Sequence, residues 1–179
     1  MEEIFLIMEI CNIVSSSTIP IPIDINQIHQ NSGDKAYANI CPSVNIKLHT
    51  SDLCQIFANN KMIVIGGRTV SENSKQFEEY IELLHYLGYR FADSILTVTN
   101  IVTRYVHSGP INLFLFAKAK KSLVRYEPEI FPAVRYRIEN LKITVNIFHT
   151  GRCMVLGAKN LEDLTRASAC LRNLLEWHP

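Results

Sequence analysis

The 179-residue chain has no strong excess of either charge. Lys and Arg number 18 against 17 Asp and Glu, a formal net charge of +1. Composition alone therefore does not mark a polyanion binder. No apolar run reaches the length of a membrane span. The apolar start, Ile4-Phe5-Leu6-Ile7-Met8, has neither the basic flank nor the small-residue cleavage site of a signal peptide. Five cysteines, Cys11, Cys41, Cys54, Cys153 and Cys170, form no C-x-x-C pair and are odd in number. They read as small hydrophobes of a reducing compartment rather than a disulfide framework. Six histidines are scattered without metal-ligand spacing, and Gly66-Gly67-Arg68 is not part of a phosphate-binding loop. No paired carboxylate or Ser/Cys–His arrangement can be placed. A soluble intracellular protein is expected, with no cofactor and no enzymatic activity.

What is present is a repeat. Hydrophobic residues make up 47% of the chain, enough for a sizeable core. Asn12-Ile13-Val14-Ser15 recurs as Asn100-Ile101-Val102-Thr103, and Pro22-Ile23-Asp24-Ile25 as Pro110-Ile111-Asn112-Leu113, both at an offset of 88. Ile56-Phe57 recurs as Ile147-Phe148, and Lys61–Arg68 matches Arg152–Lys159, both at an offset of 91. Four matched blocks in the same order divide the chain into repeats 1–90 and 91–179, which together make one pseudo-symmetric domain. The repeats differ in charge. The first has six basic and ten acidic side chains, the second twelve and seven, so net −4 faces net +5. Any polyanion should be held more firmly by the second.

Each repeat opens with a strand around Asn12 or Asn100. A short helix follows near Pro22-Ile23-Asp24 or Pro110-Ile111-Asn112, with proline suited to its first turn. Strands are expected at about 37–48, 52–58 and 61–67, and again at about 129–138, 141–149 and 152–158. A long helix closes each repeat. Its core stripe is Phe77, Tyr80, Ile81, Leu84 and Leu87, stopped by Gly88, or Leu161, Leu164, Ala167, Leu171 and Leu174. Strand side chains alternate between two faces. Ile143, Val145 and Ile147 can face the helices, which turns Thr144, Asn146 and Phe148 outward, joined by Met154 and Leu156. Ile63 and Ile65 fall outward with Phe57 in the first repeat. Such an open face is normally polar, but here it is apolar and rimmed by basic residues. Two readings stand: a face covered by another chain, such as a second copy, or one that buries itself against a ligand.

Tyr126-Glu127-Pro128-Glu129-Ile130-Phe131-Pro132, then Tyr136-Arg137 and Ile147-Phe148-His149-Thr150-Gly151, resemble the TATA-box-binding protein family. Asn12-Ile13-Val14-Ser15 and the hairpins ending Gly66-Gly67-Arg68 and Gly157-Ala158-Lys159 support the resemblance. It runs from about Asn12 to the end of the chain. It implies an α+β fold: a saddle-shaped, curved antiparallel sheet of two pseudo-symmetric repeats with helices on the convex face. It also implies that the concave face lies in the DNA minor groove, where wedge side chains unstack base steps and bend the duplex.

Residue by residue, the resemblance puts Phe131, with Pro132 beside it, and Phe148 at the wedge positions of the second repeat. Phe57 and Ile40 take those of the first, and Ile40 departs from the family in carrying no ring. Asn12 and Asn100 match the central asparagines, and Val14 and Val102 the neighbouring valines. Ile63, Ile65, Met154 and Leu156 complete the apolar face. Lys61, Arg68, Arg137, Arg152 and Lys159 match phosphate-contacting positions. Ile65 and Leu156 replace a pair of threonines, and Gln55 and Asn146 replace leucines, so a relaxed A·T preference is expected. Tyr126, Glu127 and Glu129 resemble the surface that docks transcription factor IIB. The implied partners are A·T-rich promoter DNA, IIB-like and IIA-like factors and RNA polymerase, with no membrane. The implied location is the nucleus, or a viral transcription compartment. The alternative is a related interaction scaffold with little DNA affinity of its own.

Overall fold

The computed structural model describes residues 7–33, 36–38, 42–92 and 94–176. Its helices begin where a short polar side chain closes the open N–H groups of a first turn. Asp24 caps α1 (Ile25–Asn31) by accepting from the Asn26 and Gln27 N–H groups. Thr69 caps α2 (Val70–Tyr86), Asn112 caps α3 (Leu113–Ala119) and Asn160 caps α4 (Leu161–Leu175) in the same manner. Pro22 and Pro110 were expected within a first turn, but each stands two residues before its cap. Capping needs a side-chain acceptor, which proline lacks, so the Asx residue takes the boundary. Helix α2 stops as the sequence predicts. The Tyr89 N–H donates to Leu84 O at 3.0 Å and the Gly88 N–H to His85 O at 3.1 Å, with Gly88 at φ +96°. This left-handed terminator suits glycine. Among the described residues no helix is long and apolar enough to cross a membrane.

The chain divides into two compact units, Asn12–Thr99 and Met1–Cys11 with Asn100–Pro179. In the 12–99 unit, β1 (Glu9–Thr18, from Asn12 onward), β2 (Ala36–Ala38), β3 (Ser43–Ile46), β4 (Leu53–Phe57) and β5 (Lys61–Ile65) take the antiparallel order β2-β3-β4-β5-β1. The single strand expected at 37–48 is instead two strands that pair with each other, Ala36 opposite Ile46. Ile40 lies outside the described residues. Val44, Ile46, Ile56, Met62 and Val64 pack with Phe77, Tyr80 and Leu84 of α2 in one core. Ser15, Asn73, Tyr80 and Asp52, in it or at its edge, are paired with one another or with backbone, as burial favours. Ser15 bonds Asn73, whose amide donates to Gly66 O at 2.9 Å, tying α2 to the middle of β1 and to the end of β5. The Tyr80 hydroxyl donates to Asp52 Oδ1 at 2.9 Å and accepts from the Leu48 N–H at 3.3 Å.

The other unit arranges β6 (Thr97–Val106, from Asn100 onward), β7 (Val124–Arg125), β8 (Ala133–Ile138), β9 (Ile143–Phe148) and β10 (Arg152–Ala158) in the antiparallel order β6-β10-β9-β8-β7. Val134, Val145, Ile147, Cys153 and Val155 are buried, as are Leu164, Ala167 and Leu171 of α4 and Phe116 of α3. Leu161, expected in the core stripe, is 63% exposed because it occupies the first position of α4, ahead of the packed turns. The strand expected from 129 begins only at Ala133. The Ile130 and Phe131 N–H groups both donate to Glu127 O, which closes a turn there.

Two consequences can be measured. Gly151 has φ +82°, and a Cβ there would lie 2.5 Å from Gly109 O, whereas Gly88 at φ +96° has open space. Gly88→Ala should cost about 1–2 kcal/mol, the left-handed penalty alone. Gly151→Ala should cost at least about 1 kcal/mol more, through the added clash. Urea melts of the two variants decide it, and equal losses would contradict the assignment. Burial pushes the Cys153 thiol up to about 12, and burial, with Asp52 adding to it, also raises the Cys54 thiol well above its usual value. The thiols in the unfolded chain ionise near pH 8.5, so above that pH the unfolded state loses protons that the native state keeps. Thermal stability contributed by these groups should be intact below about pH 8.5 and fall as pH rises toward 12. Replacing both by alanine should flatten that decline, relative to the variant's own neutral-pH stability.

Candidate nucleic-acid interface

Alternation along the strands gives each unit a face that its helices leave open. In the 12–99 unit, Ile13, Ser15, Cys54, Ile56, Met62 and Val64 are wholly buried, while Val14, Ser16, Gln55, Phe57, Ile63 and Ile65 are half-buried. Register aligns the latter in rows: Val14–Ile65–Leu53 and Ser16–Ile63–Gln55–Asn45, with Phe57 opposite Ser43. Gln55 donates to Ser43 Oγ at 3.2 Å. Lys61 opens β5 and Arg68 follows its end, both exposed.

The second unit repeats this pattern with different chemistry. Its rows are Val106–Arg152, then Arg104–Met154–Asn146–Arg135, then Leu156–Thr144–Arg137, with Phe148 opposite Ala133. The turn after Glu127 delivers Phe131 to Phe148, with ring centroids 6.1 Å apart at 64°. That edge-to-face geometry favours aromatic pairs. The Arg135 guanidinium lies over Phe131, 5.3 Å from its centroid, in cation–π range. Arg137 donates to Thr144 Oγ1 at 2.8 Å, and Arg104 pairs with Glu9. Pro132 is exposed beside the rings.

Arg68 and Lys159 are positioned alike. The Arg68 N–H donates to Glu72 Oε2 at 2.7 Å and the Lys159 N–H to Asp163 Oδ2 at 3.0 Å, each acid sitting in the first turn of the following helix. Both cations are thus held where a β-strand hands over to a helix. Asn100 Oδ1 accepts from the Gly157 N–H at 2.7 Å, at the register shift in β10 where Gly157 has φ +107°. That bond fixes the amide, and its two N–H donors have no partner among the described residues. Asn12 is half-buried and has no such bond among the described residues.

The structure therefore brings Val14, Phe57, Ile63 and Ile65 together in one unit, with Lys61 and Arg68 at the ends of their strand. In the other it gathers Val102, Phe131, Arg137, Phe148, Met154 and Leu156, with Arg152 and Lys159 at the ends of β10. Arg104 and Arg135 were missed by motif reading. Counting by twos from Val102 and Arg137, which the resemblance had put on this face, would have found them. Within the partner surface, Arg125 pairs with Glu127 at 2.8 Å, while Glu129 is exposed and has no ion-pair partner among the described residues. His49, Asp52 and Glu79 converge although their spacing is uninformative in sequence, with ligand atoms within 4.8 Å of one another. Here they tie the β3–β4 turn to α2: Asp52 Oδ1 accepts from the His49 N–H, and His49 Nε2 lies 2.8 Å from Glu79.

Two stretches of the chain, residues 7–87 and 95–177, match the family model described as transcription factor TFIID, or TATA-binding protein. The TATA-box-binding protein of Tetrahymena thermophila is 30% identical over 158 residues, 87% of this chain and 64% of that protein. The chain thus spans somewhat under two thirds of that relative's length. The TATA-box-binding protein of Archaeoglobus fulgidus is 27% identical, over 89% of this chain and 90% of its own. A solved structure, the Methanococcus jannaschii TBP, superposes with a TM-score of 0.81 at 24% identity, covering 94% of this chain and 98% of that one. The α+β fold of this chain is therefore shared with that structure. With both of its repeats matched by one family model and that fold in common, the chain belongs to the TATA-binding protein family.

Proposed function

We propose that this chain is a transcription-initiation factor that binds promoter DNA through the minor groove, bends it and recruits further initiation proteins. The observation that carries the reading is the open sheet face of each unit, where half-buried aliphatic and aromatic side chains stand with cations beside them. The minor groove offers a degenerate hydrogen-bond pattern, so an apolar face suits it and reads width and deformability. Phe131 and Phe148 are the wedges that unstack a base step, and Phe57 and Ile40 act in the first repeat. The free N–H groups of Asn100 suit the acceptor-lined A·T edge. Lys61, Arg68, Arg137, Arg152 and Lys159 hold phosphates, and Arg104 and Arg135 add positive charge within the face itself. Ile65 and Leu156 offer shape without hydrogen bonds, which relaxes the sequence preference.

Tyr126, Glu127 and Glu129 present the surface for a IIB-like factor. IIA-like proteins and RNA polymerase complete the set, in the nucleus. A second reading, an interaction scaffold with weak DNA affinity, is favoured by the ion pairs Glu9–Arg104 and Glu127–Arg125, which engage two arginines of the more basic unit. Titrating a short A·T-rich duplex at fixed salt separates the two readings. Tight, salt-sensitive binding supports the first and its absence the second.

The rings lie outside the core, so Phe131→Ala and Phe148→Ala should each reduce DNA bending, read by energy transfer, with little change in melting temperature. Variants that melt several degrees lower yet bend DNA normally would put the rings in the core. The cations should act unequally. Each phosphate contact removed flattens the slope of log K against log salt by about 0.9. R152Q with K159Q should flatten it by about 1.8 and weaken binding to every sequence. K61Q with R68Q should cost less, because the acidic repeat lowers the local potential. Equal losses, or a larger loss from the first repeat, would overturn this asymmetry.

A further inference from the structure

A groove of about 610 Å³ runs beside α2 in the 12–99 unit, between that helix and the segment that follows it. Its floor is Phe77, Ile81, Phe91 and Leu96, and Glu78 and Glu82 stand along its helix side. The helical lining runs from Ser74 to His85, about 16 Å at 1.5 Å per residue. The groove is therefore elongated and parallel to α2, the shape of a helix seat more than of a small-molecule pocket.

Its charge is one-sided. Glu78 and Glu82, one turn apart, repel each other and destabilise their own helix. Neither is in an ion pair among the described residues, whereas the neighbouring Glu79 is engaged by His49 and Lys75. Among the described residues no lysine or arginine lines the groove. His85 packs edge-on against Phe91, ring centroids 4.9 Å apart, and its buried Nε2 has no hydrogen-bond partner. An apolar floor, an unneutralised acidic rim and an unpaired imidazole nitrogen together specify the missing counterpart.

We infer that this groove seats an amphipathic helix of a partner protein, about three turns long, with an apolar stripe on the floor and lysine or arginine residues against Glu78 and Glu82. None of these residues lies on the open sheet face, so the seat stands apart from the DNA-binding reading.

The test uses the full chain and two synthetic helical peptides that share a leucine stripe at i, i+3, i+4 and i+7. One carries lysine and the other glutamate at the remaining positions. Fluorescence anisotropy should show the lysine peptide binding at least about ten-fold more tightly. Both Ile81→Asp and the pair E78K with E82K should reduce that binding about ten-fold, with affinity for an A·T-rich duplex unchanged. Should Ile81→Asp fail to fold by circular dichroism, the charge-reversed pair carries the test alone. Equal binding of the two peptides, or no loss with E78K and E82K, would overturn the inference. So would sedimentation showing that the chain pairs with itself through this groove, since the occupant would then be a second copy.

Discussion

The constraint on which everything else depends is the two-residue period of the strands. With every second side chain committed to a helix-covered core, the remaining ones stand on the open face whatever their polarity. Ile63 and Ile65 therefore cannot withdraw without carrying Met62 and Val64 out of the core, since a one-residue slip exchanges the faces. The apolar open face is held by the packing behind it. Its half-buried side chains remain available because the core under α2 and under α4 is fixed in register.

Within that frame the two units use the same backbone for unlike electrostatics. Where one row reads Ser16–Ile63–Gln55–Asn45, the equivalent row reads Arg104–Met154–Asn146–Arg135. The difference in net charge between the repeats is therefore partly a difference across the open face, and not only around its edge. Arg135 also stacks on Phe131, so one side chain combines a cation with support for a ring.

Much of this was legible in the sequence because the repeat registers the two halves against each other. Matching Ile56-Phe57 to Ile147-Phe148 fixed which strand residues turn outward, and the structure places them there. Helix α2 was readable from its stripe and from Gly88. What escaped was set by local competition. Proline suits the start of a helix, yet Asp24 and Asn112 own the boundary because their side chains bond the first turn. Leu161 fits the stripe by spacing, but the first helical position lies beyond the packed turns. Arg104 and Arg135 were hidden because arginine on a strand reads as solvated charge until a register shows what stands beside it. The meeting of His49, Asp52 and Glu79 depends on the β3–β4 turn folding onto α2, which no linear spacing encodes.

The bond from the Gly157 N–H to Asn100 makes the two central asparagines thermodynamically unequal, although they are the same residue in equivalent strands. Ordering a free side chain at an interface costs about 0.5–1.5 kcal/mol. Asn100 has already lost that freedom in the unliganded fold, whereas Asn12 has no such restraint among the described residues. For equal contacts, the amide of the second repeat would bind with the smaller entropy loss. A bias between two matched repeats is thus introduced by the register shift in β10, at a position where the side chains themselves are identical.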